Sequence, residues 1–175
     1  MQMQGVLTGC SASIHLTPQI SGAVRSDCTL LGHVSYDGNR DYLPALLVEN
    51  ASSPADSVLR YVHEERYGLK ELPPGVQLVN PLNIVGFPTG SSSLSITGRL
   101  DVMRGGSVVR SFAAVAAMER SGSMFTEGES LTAMRRRGLL LVKDNISAQV
   151  CADLPETQGI LNAITYAPEP QPLTR

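Results

Sequence analysis

The chain has 175 residues, a net charge of -2, 42% apolar residues and only 17% charged ones. This length suits one domain with its own core, and the near-neutral balance leaves no electrostatic footprint for nucleic acid. Tryptophan is absent and only three Phe and five Tyr occur, which argues against an aromatic platform for bases or sugars. No run of about 18 apolar residues spans a bilayer.

The chain opens MQMQGVLTGCSAS, in which residues 7–10 read Leu-Thr-Gly-Cys. This resembles the lipobox of bacterial lipoproteins: a Leu, two small residues, then the cysteine that becomes the lipidated N-terminus. The resemblance covers four residues, and Ser11-Ala12-Ser13 follow as a small, polar tether. It departs from the pattern upstream. A signal peptide has a basic n-region and an apolar stretch of about 7–15 residues, and MQMQGV supplies neither, which implies a trimmed or misassigned start. The alternative is a chance small-residue stretch before an ordinary strand. The resemblance implies lipidation of Cys10. It also implies delivery to the periplasmic side of the outer membrane, because Ser11 rather than Asp follows the cysteine. Cys28 and Cys151 then remain as an even pair, which an oxidising compartment permits to bond. Two buried free thiols are the alternative.

In chain order, SIHLTPQI suits an edge strand. CTLLGHVSYDG (28–38) suits a strand closed by a turn at Asp37-Gly38-Asn39. DYLPALLVENA (41–51) fits a strand or a short helix, with Pro44 at its start or on an edge. The next segment reads as a helix from Pro54 to Tyr67. Ser53 is a preferred N-cap, Pro is tolerated at the first helical position, and Asp56 suits the first turn. Asp56–Arg60 and Arg60–Glu64 have helical spacing, and Gly68 fits a C-terminal cap. Residues 76–86 are expected to be extended and 87–93 (FPTGSSS) a loop.

LSITGRLDVM alternates strictly, with Leu94, Ile96, Gly98, Leu100 and Val102 on one face. Gly105-Gly106 suits a two-residue hairpin turn, and SVVRSFAAVAAMER returns. An unbroken register predicts a hairpin of 94–103 with 108–118, pairing Val102 with Val109 and Asp101 with Arg110. It puts Ala113, Val115 and Ala117 on the face of Leu94 and Ile96. A second helix is predicted from a Thr126/Glu129 capping box to about Asp153–Pro155. Its apolar side holds Leu131, Met134, Leu139, Leu141, Val142, Ile146 and Val150, and its polar side Arg136, Arg137, Lys143, Asp144 and Ser147. Gly138 suits a close backbone approach, Arg135 falls inside the apolar arc and must snorkel or find a partner, and Leu140 falls on the polar side. APEPQPLTR is a Pro-rich tail.

Motifs for chemistry fail on inspection. His63-Glu64-Glu65-Arg66-Tyr67 has Tyr67 where a zinc helix needs its second histidine. GFPTGSSS lacks the Gly-Lys-Ser/Thr of a phosphate loop, and no serine sits in a G-x-S-x-G elbow. His33, Tyr36, Asp37 and Asp41 cluster in sequence and fit an Asx-rich turn better than a site.

The expected fold class is α+β: an antiparallel β-sheet with two helices packed on one face. The expected division is a signal remnant and tether (1–12), one domain (13–166) and the Pro-rich tail (167–175). The expected function, from the lipoprotein resemblance, is an outer-membrane-anchored component that binds or assembles other envelope components rather than catalysing. No cofactor or metal is implied. Its partner would be an envelope protein or a membrane surface, met through Arg136, Arg137, Leu140 and Lys143, and a homo-oligomer is compatible. The alternative is a soluble, cytoplasmic enzyme or small-ligand-binding domain with a site near His33–Asp41 and the 86–93 loop.

Overall fold

A computed structural model describes residues 12–20, 28–71, 90–122 and 130–162. The described residues form a six-stranded sheet and two helices. The strands are β1 (Ala12–Thr17), β2 (Leu30–Ser35), β3 (Leu47–Glu49), β4 (Ser57–Glu71), β5 (Gly90–Arg104) and β6 (Ser107–Gly122). Their order is β1-β6-β5-β4-β2-β3. The helices are α1 (Leu131–Ala152) and α2 (Leu154–Asn162), and a 3-10 turn covers Arg40–Tyr42. The α+β expectation holds, but the sheet is mixed. β1, β6, β5 and β4 run antiparallel, whereas β2 is parallel to both β3 and β4.

The expected helix over 54–67 is instead the long strand β4. Its cap-like start is a turn, in which Ser57 N–H donates to the Pro54 carbonyl at 2.9 Å. The same residues also alternate: Leu59, Tyr61, His63 and Glu65 turn inward, while Val62, Glu64 and Arg66 stay exposed. Pairing with β5 along the full strand supplies what an isolated helix of this length lacks. The supposed i,i+4 partners go elsewhere, Asp56 to Arg104 at 3.8 Å and Arg60 to Asp101 at 3.0 Å. The serine-rich part of the expected loop, Ser91–Ser93, belongs to β5.

The β5–β6 hairpin turns through Gly105 and Gly106, at φ +53° and +79°, conformations that glycine adopts without a steric penalty. Its register changes by one residue between Val102 and Met103. Such an irregularity moves every later side chain of one strand to the other face. Phe112, Ala114, Ala116 and Met118 therefore face the core, not the expected Ala113, Val115 and Ala117. Asp101 faces Ser111, not Arg110.

α1 is capped by Ser130, whose Oγ accepts from Ala133 N–H at 3.1 Å; the Thr126/Glu129 box lies outside the described residues. Met134, Leu139, Val142, Ile146 and Val150 are buried as expected, and so is Ser147. Ser147 Oγ donates back to the Lys143 carbonyl at 2.8 Å, which satisfies a hydroxyl that would otherwise favour water. Leu131 is exposed and Leu141 half-buried. At Gly138 an added Cβ would lie 2.3 Å from Met118 Cε and 2.7 Å from Ile96 Cδ1, so this glycine is what lets the helix descend onto β5 and β6. The chain does not stop at Asp153. It restarts as α2, whose Leu161 side chain lies under Gly32 and whose Leu161 carbonyl accepts from Ser57 Oγ at 3.2 Å.

Candidate functional site

The two ends of the long strands are fastened differently. At the hairpin end Cys28 and Cys151 are disulfide-bonded, with Cα atoms 5.7 Å apart. Arg110, freed from Asp101 by the register change, reaches Asp153 at 2.5 Å and Glu156 at 2.9 Å. Arg104 donates to the Ile160 carbonyl.

Toward the other end, α1 meets the sheet through a polar cluster. Arg135 Nε donates to Glu65 Oε2 at 2.7 Å, which resolves the misplaced cation of the helix. Tyr67 OH donates to the same oxygen at 2.7 Å, and His63 Nε2 lies 3.7 Å from Glu65 Oε1. Arg135 also stacks over the Tyr42 ring at 5.9 Å. The hydrogen bond from Arg135 holds the Glu65 carboxyl below its ordinary value against the opposing effect of burial, with help from Tyr67. Tyr36 lies 5.4 Å from Tyr61 and 6.1 Å from His63 between ring centres. Burial pushes the Tyr61 phenol up, reinforced by Tyr36. Its hydroxyl has no hydrogen-bond partner among the described residues. The sequence distributes these tyrosines over 32 residues of chain, from Tyr36 to Tyr67. Reading 54–67 as a helix hid their convergence, because only a strand puts Tyr61, His63, Glu65 and Tyr67 on one face.

On the opposite face Asp101 is 1% exposed. Burial would raise its pKa. Hydrogen bonds from Arg60 and Ser111 and the charge of Arg99 outweigh that and hold it below the ordinary value. At Glu49 the Val34 N–H, donating at 2.7 Å, and His33 likewise hold the carboxyl down. Glu49, Glu65 and Asp101 are thus held ionised, which suits fixed structural charges better than proton donors.

Two concavities stand out. A trough of about 360 Å³ crosses four strands along the row Ser13–Glu119–Ser93–Gly68, with His15, Arg66 and Tyr67 in its lining. A smaller hollow of about 250 Å³ lies among Val34, Tyr36, Arg40, Leu43, Leu47 and Glu49, below the usual size of a ligand pocket.

The expected docking patch is only partly open. Arg136 and Arg137 are exposed, Leu140 is half-buried, and Lys143 Nζ donates to the Asp41 carbonyl at 3.0 Å, so it fastens the 3-10 turn to α1. Of the alternative site, residues 86–89 lie outside the described residues. His33 pairs in register with Val58, whereas Gly90–Ser93 pair with Gly68–Glu71; at about 3.3 Å per residue these lie roughly 35 Å apart along β4. Cys10 lies outside the described residues, but Ala12, assigned above to the tether, already pairs with Arg120 as the first residue of β1. Among the described residues no cluster of His, Cys, Asp and Glu could hold a metal ion. No protein-family model, curated protein or solved structure matches the chain.

Proposed function

We propose that this chain is the folded domain of an outer-membrane-anchored periplasmic lipoprotein. In this reading it binds or assembles other components of the bacterial envelope and does no catalysis. The observation that carries the reading is the Leu-Thr-Gly-Cys stretch immediately before β1. The disulfide adds support, since Cys28 and Cys151 occupy each other, such bonds persist in oxidising compartments, and Cys10 is the cysteine left over for modification. The described carboxylates also serve as internal anchors for Arg135, Arg60 and Val34.

The test is fractionation of the full-length gene product, with and without Cys10→Ala, after labelling cells with a radioactive fatty acid. Wild type should carry label and sediment with outer membranes, and the variant should do neither. Two unlabelled, soluble proteins would end the proposal.

A further inference from the structure

The tether is shorter than the sequence implied. Only Ser11 separates Cys10 from β1, so the cysteine lies at most about 7 Å from Ala12. Ala12 is in register with Arg120, Arg120 with Ser92, and Ser92 with Leu69. That row crosses the sheet in three strand spacings, about 14 Å. Leu69 is 71% exposed, more than any other large apolar residue described, and Tyr67 beside it is 55% exposed. Leu131, 41% exposed, opens α1 one turn before Arg135, which is bonded to Glu65. The trough with His15 and Arg66 in its lining occupies the adjoining row. The hairpin tip lies at the other end of the same strands. From Ser92 to Met103, the partner of Val108, is about 36 Å.

Resting on the reading of Cys10 as a lipid anchor, we infer that the domain stands end-on against the bilayer. Tyr67, Leu69 and Leu131 enter the lipid interface, and the disulfide-fastened hairpin end points away from it. The occupant of this end is the phospholipid surface itself, with the exposed Arg66 and Glu119 at headgroup level. A lipid chain fixed within about 7 Å of the sheet leaves no room for a linker. Exposed Leu and Tyr at that level gain free energy by partitioning into the interface.

The chain has no tryptophan, so Leu69→Trp and Val108→Trp each create a single reporter at an exposed position. Each full-chain variant is held on phosphatidylethanolamine/phosphatidylglycerol vesicles with plain or brominated acyl chains. The link is either the fatty acid added in cells or a maleimide lipid coupled to the Cys10 thiol. Brominated chains should quench Leu69→Trp emission at least about twofold and leave Val108→Trp unchanged, as expected for a side chain in the acyl boundary and one far from it. Equal quenching of both would mean a domain lying flat, and no quenching of either a domain held off the surface; each overturns the inference. Absence of fatty acid on Cys10 defeats the functional reading alone, because the maleimide-coupled sample still reports which end meets the lipid.

Discussion

The hairpin end and the opposite end of this sheet carry the same strands and the same helix, yet they are secured by different means. The hairpin end holds α1 and α2 down by a disulfide, two ion pairs from Arg110, and hydrogen bonds from Arg104 and Ser57 to α2 carbonyls. Toward the opposite end α1 is held by buried Met134, by Gly138 against Ile96 and Met118, and by the Arg135–Glu65 pair within a tyrosine cluster. Apolar side chains stay in water at both ends, Tyr67, Leu69 and Leu131 at this one and Val108 and Val109 beside the hairpin turn. The difference teaches that the covalent and ionic fastening of the helices is concentrated at the hairpin end, while the far end holds α1 by packing and one partly exposed ion pair.

The largest break in this comparison should come from the disulfide. The bond joins residues 123 apart, and loop entropy assigns a bridge of that span about 4–5 kcal/mol. Cys28→Ser with Cys151→Ser should lower denaturation free energy by roughly that amount. Reducing agent should do the same to the wild type and nothing to the double variant. Hydrogen exchange should then quicken most at β2 and the end of α1, where the base is built.

Next comes the middle of the helix–sheet contact. An added Cβ at Gly98 would meet Val142 Cγ1 at 2.3 Å, and at Gly138 Met118 Cε at 2.3 Å. Gly98→Ala and Gly138→Ala should each cost about 1–3 kcal/mol by overpacking, measured by urea unfolding. Gly138→Ala should be the milder, because helix propensity returns about 1 kcal/mol and the methionine side chain can yield. A neutral Gly98→Ala would show that α1 can rise off the sheet without loss.

What was legible in the sequence follows the same division. The alternation of Leu94–Val102 and the Gly105-Gly106 turn announced β5, and the α1 stripe announced a helix, because each pattern repeats over many residues. β4 reads as a helix because its first residues satisfy helix-start rules while its alternation is diluted by Val62, His63 and Glu65; only pairing with β5 decides between them. The register change after Val102 leaves no mark in the sequence, and a single residue of slip sent Arg110 from Asp101 to α2. Arg135 was recognisable as misplaced, but its partner Glu65 was invisible while β4 was a helix. The candidate site was therefore legible in its parts and hidden in its assembly.

Acid should separate the two carboxylate centres from the disulfide base. Asp101 and Glu65 are both held below their ordinary values of 3.8 and 4.5. Their contribution is therefore complete above about pH 5 and is lost as pH falls through the lowered folded values. Stability of the wild type should fall below pH 4 more steeply than that of Asp101→Asn, which has nothing left to protonate there. At neutral pH Asp101→Asn should cost about 2 kcal/mol, since Arg60 and Arg99 lose a buried counter-charge but keep access to water. A parallel acid slope in the two proteins would mean that Asp101 contributes no proton linkage.

The smallest effect should come from Arg135, and it is the most informative about the free end. Its side chain is 39% exposed and Glu65 15% exposed, so the pair sits where water still screens it and should be worth about 1 kcal/mol or less. Arg135→Ala removes the hydrogen bond to Glu65 and the contact with Tyr42, and leaves every fastening of the hairpin end in place. Global stability should therefore barely move. Local exchange at the first two turns of α1 should rise, and the Glu65 carboxyl should titrate higher once its strongest donor is gone. Arg135→Lys should recover the charge but not the stacking over Tyr42, leaving it between the two. If Arg135→Ala instead unfolds the whole domain as severely as loss of the disulfide, the two ends are one cooperative unit, and the far end is not free to serve anything but the fold.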